Sequence, residues 1–133
     1  MHWRNFLQSL VERGLRGVEL IVSDDHSGLG AARRAVFGGV PWQRCQFHLQ
    51  QNAQAYVPKQ DMRTEVGSDI RLIFISKDRA EAEMRLREMV TKYHKIAPRL
   101  ADWIEKAIPE GLTFFPSPLR TIVVFAQATS WSA

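Results

Sequence analysis

The spacing of hydrophobic residues predicts a helix and then a buried strand in the first quarter of the chain. One helix face carries five large apolar side chains: Trp3, Phe6, Leu7, Leu10 and Val11. Gly14 stands where a C-terminal cap is expected. The short apolar run from Val18 to Val22 is bounded by Gly17 and Ser23, which predicts a strand buried on both faces.

The same reasoning extends this pattern to residue 57. Ser27 is a predicted cap for a second helix, which Gly38 and Gly39 end. Residues 41–45 are long enough for only a short strand, and residues 46–57 predict a helix that ends before Pro58. The predicted order is helix, strand, helix, strand, helix, which is an α/β arrangement.

From Asp61 onward the pattern becomes entirely helical. The first predicted helix carries Val66, Ile70, Ile73 and Phe74 on one face. Asp78 and Glu81 form a predicted capping box for the next helix, and Pro98 separates that helix from another. The last residues do not continue this helical pattern, because two prolines precede a β-like run over residues 121–125.

Composition excludes several classes of protein. Hydrophobic residues make up 45% and charged residues 24%, which is typical of a folded globular domain. No apolar stretch is long enough to span a bilayer, so no membrane partner is expected. The N-terminus lacks the pattern of a secretory signal, and a single cysteine suits a reducing compartment, so we expect a cytoplasmic protein. The net charge of +4 permits contact with a polyanion without requiring it.

Asp24 is the strongest candidate for a functional residue. It follows the predicted strand at its C-terminal end, where a carboxylate can hold a divalent cation that acts on a phosphate. The alternative is that the aspartates merely order the turn between strand and helix, with Asp25 as the capping residue. His26 could position a phosphate or bind a metal, but a histidine in a polar turn is more often a hydrogen-bonding residue.

Cys45 and His48 form a second candidate pair, since their spacing would let them share one zinc ion. No second ligand pair follows at the spacing of a zinc finger. The remaining possibilities are a packed hydrogen-bonding bracket at the junction of strand and helix, and a catalytic thiol at Cys45.

Basic side chains provide a third candidate site. Four of them could line a path for DNA or could simply be solvated on helix faces: Arg33, Arg34, Arg44 and Lys59.

The ordered motifs Val-Ser-Asp-Asp-His-Ser-Gly-Leu (22–29), Trp-Gln-Arg-Cys-Gln-Phe-His (42–48) and Val-Pro-Lys (57–59) closely resemble those of bacterial insertion-sequence transposases of the Mutator type. The resemblance covers roughly residues 3–115. It implies an RNase H-like core in which two Asp and one Glu hold two Mg²⁺ ions. Asp24 would be the second Asp, and Cys45 with His48 would match the family's C-x-x-H signature in a supporting role.

The resemblance also implies a division of the chain and a set of partners. Residues 1–60 would be a partial RNase H-like core, residues 61–112 a helical insertion, and residues 113–133 an aberrant tail. Our hypothesis for this tail is a frameshift in the coding DNA. The partners would be DNA at the insertion-sequence ends and at the target, with self-association or pairing with a full-length transposase. If DNA-bound, the chain would be associated with the nucleoid.

Two departures from the family pattern bear on activity. By the resemblance, the strands that carry the first catalytic Asp would be missing from this chain, and so would the segment around the catalytic Glu, since no Glu occurs after Glu110. We therefore expect a transposase fragment that is inactive alone; the alternative is a non-catalytic DNA-binding or inhibitory remnant that pairs with intact transposase. The strand at residues 18–22 would be left at a sheet edge, with low stability as the consequence.

Overall fold

The computed structural model describes residues 2–113 and the backbone of residues 122–125. The frameshift hypothesis concerns a tail that falls largely outside the described residues.

The elements follow the order that the hydrophobic pattern predicts. The first five are α1 (Trp3–Glu12), β1 (Leu20–Ser23), α2 (Ser27–Val36), β2 (Trp42–Arg44) and α3 (Gln46–Ala53). Helices α4 (Arg63–Phe74), α5 (Arg79–Tyr93) and α6 (Pro98–Ala107) follow, and β3 (Ile122–Phe125) comes last. Short 3-10 turns cover Gln54–Tyr56, Gln60–Met62 and Ile108–Gly111. The chain is mostly helical with one small sheet, which agrees with the predicted order of helices and strands.

The sheet has the strand order β2-β1-β3, so β1 is central. Strand β3 pairs with β1 in parallel, with Leu20 opposite Ile122 and Ser23 opposite Phe125. On its other side β1 neighbours β2, and the Ile21 N–H donates to the carbonyl of Pro41, the residue before β2, at 3.0 Å. The prediction that this strand would lie at an edge is therefore wrong, because the β-like run of the tail supplies its second neighbour.

The chain divides into two compact units. The first holds residues up to Gln43 together with β3, and the second begins at Arg44 and holds α3 to α6. In the first unit, α1 packs against α2 around Leu7, Leu29 and Ala32, all buried. Gly14 follows α1 with φ +107°, as expected of a residue that ends a helix in the left-handed region. The division into residues 1–60 and 61–112 stays a prediction.

The second unit has its own hydrophobic core, built from α3 to α6. Each helix contributes a buried stripe, including the four residues predicted for α4 and, from α3, Leu49 and Ala53. Residue Asp78 caps α5 as predicted, because its Oδ1 accepts from the Glu81 N–H at 2.8 Å. The Glu81 carboxylate reaches back to the Lys77 N–H at 2.9 Å, one residue before the expected partner. Among the described helices, none has the length and apolar character needed to cross a membrane.

Candidate functional site

Asp24 follows directly after β1, at the C-terminal end of the central strand. Its side chain is partly buried, and its Oδ1 atom is buried without a hydrogen-bond partner among the described residues. A buried carboxylate oxygen without a donor or a cation is energetically costly. The position therefore suits a carboxylate whose partner is a ligand.

Linked contacts hold the backbone of Asp24 in place. The indole N–H of Trp42 donates to the Ser23 hydroxyl oxygen at 2.8 Å, and that hydroxyl donates to the Asp24 carbonyl at 3.0 Å. The Arg33 guanidinium lies 5.2 Å from the Trp42 ring centroid. Burial, followed by repulsion from Arg34, lowers the pKa of Arg33. Trp42 is thus fixed from two directions beside the end of β1.

The turn after Asp24 is capped by a residue other than those predicted. His26 is the N-cap of α2, and its Nδ1 accepts from the Leu29 N–H at 3.1 Å. Ser27 is instead the first residue of the helix, and Asp25 is exposed. The expectation that Ser27 or Asp25 caps this helix is wrong, because the His26 ring presents a lone pair at the N-cap position. The prediction that His26 acts as a hydrogen-bonding residue is confirmed.

Asp24 offers a suitable ligand for a divalent cation. The Asp24 carboxylate supplies the hard oxygen that Mg²⁺ prefers, and its unpartnered Oδ1 fits that role. The described residues contain no group of three or more His, Cys, Asp or Glu side chains that could hold a metal ion. Asp24 therefore fits as a single ligand, and the described residues do not complete a site around it.

Cys45 and His48 lie in the second unit, at the start of α3. Cys45 is the N-cap residue, and its side chain makes no capping hydrogen bond. The Nδ1 atom of His48 is buried without a partner among the described residues, while its ring packs edge-on to Phe47. Neither observation supplies a hydrogen bond for the bracket weighed for this pair, which stays a prediction. A zinc site would likewise need ligands beyond this pair.

The four candidate DNA-binding cations have different surroundings. Arg33 and Arg34 lie on α2 in the first unit, and of these only Arg34 is exposed. Arg44 is 9% exposed and pairs with Glu110 at 3.2 Å, with its guanidinium 6.0 Å from the Trp103 ring centroid. Lys59 is exposed, in the second unit. In this structure Arg44 stabilises the helical unit, whereas Arg34 and Lys59 present their charge to solvent.

Sequence reasoning missed Ser23 and Trp42 as residues of this site. From the sequence, Ser23 was noted only as the residue that follows a predicted strand, and Trp42 only as part of a motif. A weak signal existed, since a tryptophan that is buried in part needs an acceptor for its indole N–H. The identity of that acceptor depends on which strands become neighbours, which local patterns do not reveal.

Comparison with known proteins extends the resemblance carried by the motifs. The family "Transposase, Mutator family" matches residues 1–126. The transposase for insertion sequence element IS406 of Burkholderia multivorans is 56% identical over 118 residues, which is 89% of this chain and 30% of the relative. The ISRM5 transposase of Rhizobium meliloti is 40% identical over 116 residues, 87% of this chain and 29% of the relative.

A third relative, the IS1081 transposase of Mycobacterium tuberculosis, is 36% identical over 128 residues, 94% of this chain and 28% of the relative. The chain thus spans less than a third of the length of these curated relatives. The family match covers most of the chain, including the Asp24 turn and the Cys45 to His48 segment. The chain belongs to the Mutator family of transposases.

Proposed function

We propose that this chain is part of a DNA transposase that cuts and joins DNA at insertion-sequence ends by two-metal phosphoryl transfer. The observation that carries the proposal is the position of Asp24, at the end of the central strand with an unpartnered buried oxygen. Membership of a transposase family supplies the reaction class. The same proposal includes an RNase H-like fold for the sheet and DNA as the partner.

Asp24 is assigned the role of one of three metal-binding carboxylates. When bound, two Mg²⁺ ions would activate the attacking oxygen and stabilise the leaving oxygen in an in-line displacement at phosphorus. The chain's own contribution is to hold Asp24 at a fixed place, through the Ser23 hydroxyl and the Trp42 indole. Cys45 and His48 are assigned a supporting role at the start of α3.

The test is a chimaera. Residues 3–112 replace the matching segment of the Burkholderia multivorans transposase, and transposition of an element bearing that enzyme's ends is counted in cells. We expect the chimaera to transpose and Asp24→Asn to reduce transposition to background. Asp25→Asn is the matched control, because the neighbouring side chain is exposed and should be dispensable. Transposition that survives Asp24→Asn would refute the catalytic role of this residue.

For the chain on its own, we propose a non-catalytic remnant that interferes with an intact transposase. The supporting observation is that, in the described part of the chain, Asp24 does not belong to a group of three or more side chains that could hold a metal ion. Co-expression with the intact Burkholderia enzyme should lower transposition, and Asp24→Asn should leave that inhibition unchanged. The purified chain should not nick element-end DNA in Mg²⁺. Nicking that depends on Asp24 would contradict this proposal.

A further inference from the structure

Two adjoining cavities lie on the helical unit, where the 3-10 turn Gln54–Tyr56 meets the start of α6. The first, of about 250 Å³, is bordered by residues 55–58 and 96–99. The second, of about 270 Å³, is bordered by Tyr56, Arg99, Asp102, Trp103 and Lys106. Tyr56 and Arg99 border both. We name this pair of cavities the Tyr56 groove.

Tyr56 presents a fixed aromatic ring to the groove. Its ring stacks on Trp103 with centroids 5.2 Å apart and an angle of 20° between planes. Trp103 is in turn held by the Arg44 guanidinium, which pairs with Glu110. Because Trp103 packs against the core of the helical unit, Tyr56 is positioned before any ligand arrives. A ring that is already ordered loses little entropy when another ring stacks on it.

The walls of the first cavity are apolar. Val57, Pro58 and Pro98 contribute aliphatic surface, and Ile96 is 62% exposed beside them. Its volume is below the roughly 300–1,000 Å³ of pockets for drug-sized ligands. A single planar ring system of nucleobase size suits a cavity of these dimensions and this lining.

The charge beside the apolar cavity is mainly positive. Arg99 borders both cavities and Lys106 borders the second, and both are exposed. Within the described part of the chain neither cation has an ion pair, and Asp102 is the acidic residue at the groove. No side chain caps the N-terminus of α6, so the first turn after Pro98 carries the partial positive charge of the helix dipole. This combination suits a ligand with an aromatic ring and a neighbouring anion.

We infer that the Tyr56 groove binds an unpaired nucleotide of DNA, with its base against Tyr56 and its phosphates beside Arg99 and Lys106. The inference rests on the proposed function, in which the chain acts on DNA, and it assigns a DNA contact outside the Asp24 region. Stacking on aromatic rings combined with basic side chains is the usual means of binding single strands. A base inside a duplex is stacked and paired, so this groove discriminates single-stranded from duplex DNA.

The test compares binding of a fluorescent oligothymidylate and a duplex of the same length to the purified 133-residue chain. Tyr56→Leu should weaken single-strand binding roughly 5- to 150-fold, the range for loss of one base stack, with little effect on the duplex. Tyr56→Phe is the matched control and should bind as the unsubstituted chain does, because the ring is retained. Thermal unfolding of each variant separates lost binding from lost folding.

Charge is tested in the same assay. Arg99→Ala should reduce the salt dependence of single-strand binding, by about 0.7 in the slope of log affinity against log salt. Arg87→Ala, which removes an exposed cation of α5 outside the groove, should leave that slope unchanged. A folded Tyr56→Leu chain with an unaltered ratio of single-strand to duplex affinity would overturn the inference. So would a purified chain that binds no single strand.

Failure here leaves the proposed function standing if Asp24→Asn still abolishes transposition of the chimaera. The reverse result, in which the groove binds single strands but Asp24 is dispensable, would remove the catalytic proposal and keep the DNA contact.

Discussion

The indole N–H of Trp42 donates a 2.8 Å hydrogen bond to the Ser23 hydroxyl oxygen, and this bond joins β2 to the end of β1. Ser23 is 2% exposed, so its hydroxyl has little access to water. The same hydroxyl donates a hydrogen bond to the Asp24 backbone carbonyl. The geometry of the candidate catalytic residue therefore depends on a tryptophan from the neighbouring strand.

We expect Trp42→Phe to lower the free energy of unfolding by about 1–3 kcal/mol, since it removes a donor from a buried hydroxyl and reduces the ring area against Arg33. Urea denaturation of Trp42→Phe, Ser23→Ala and the double variant measures the coupling between the two side chains. A coupling of about 0.5–1.5 kcal/mol is expected for one such bond. Strictly additive effects would contradict the hydrogen bond.

A second prediction concerns alkaline pH and the carboxylate of Asp69 on α4. Its Oδ2 accepts from the Tyr93 hydroxyl at 2.7 Å and from Lys92 Nζ at 2.8 Å. Burial, and then the bond to Asp69, raises the pKa of Tyr93. Hydrogen bonds to Asp69 and then to Glu65 raise the pKa of Lys92.

Both groups hold their protons more tightly in the folded chain than in the unfolded chain. Their stabilising effect is complete below the unfolded pKa values of about 10 and is lost as pH rises through the folded values. The Lys92 side chain is 42% exposed, so solvent screens its ion pairs and Tyr93 should dominate. We expect the free energy of unfolding to fall above pH about 10, and less steeply in Tyr93→Phe. A slope in Tyr93→Phe equal to that of the unsubstituted chain would disprove the assignment.

Local patterns predicted most of the helices because the spacing of an amphipathic helix involves residues only three or four positions apart in the sequence. Val66, Ile70, Ile73 and Phe74 are all buried on α4, as their spacing predicts. Pro98 begins α6, since its ring fits the first turn and would disrupt a helix interior. Asp78 caps α5 for an equally local reason.

Features that depend on distant residues were not predictable in the same way. The place of β1 within the sheet depends on β3, about a hundred residues later. Arg44 was a candidate DNA contact by sequence, and in the structure it pairs with Glu110, 66 residues away. Even the cap at His26 was missed, because histidine is a less common cap than the serine and aspartate beside it. The position of Asp24 at the end of a strand was predictable, whereas its supporting contacts were not.

A third prediction isolates the cap of α5. Asp78→Ala removes the acceptor of the Glu81 N–H and should lower the free energy of unfolding by about 0.5–2 kcal/mol. Thermal unfolding followed by circular dichroism at the helical band measures this change. Asp61→Ala is the matched control, since that carboxylate is exposed and makes no hydrogen bond in the described residues. Equal losses in the two variants would argue against capping.

The fourth prediction concerns Gly111, which is buried where the last 3-10 turn packs on α3 and α4. A Cβ atom at this position would lie 2.7 Å from Leu49 Cδ1 and 3.2 Å from Phe74 Cε1. Because Leu49 is fully buried, it has little room to move, and Gly111→Ala should cost about 1–3 kcal/mol through overpacking. Gly39→Ala meets no atom within 4 Å and should change stability by less than about 0.5 kcal/mol.

A rescue experiment distinguishes overpacking from a backbone effect at the same glycine. Leu49→Ala alone should cost about 2–5 kcal/mol, since it leaves a cavity in the helical core. In that background the added methyl group of Gly111→Ala has space, so its cost should shrink or change sign. Urea denaturation of the four chains gives the coupling. If Gly111→Ala costs the same beside Leu49 and beside Ala, the strain comes from the backbone of the turn and the steric explanation is wrong.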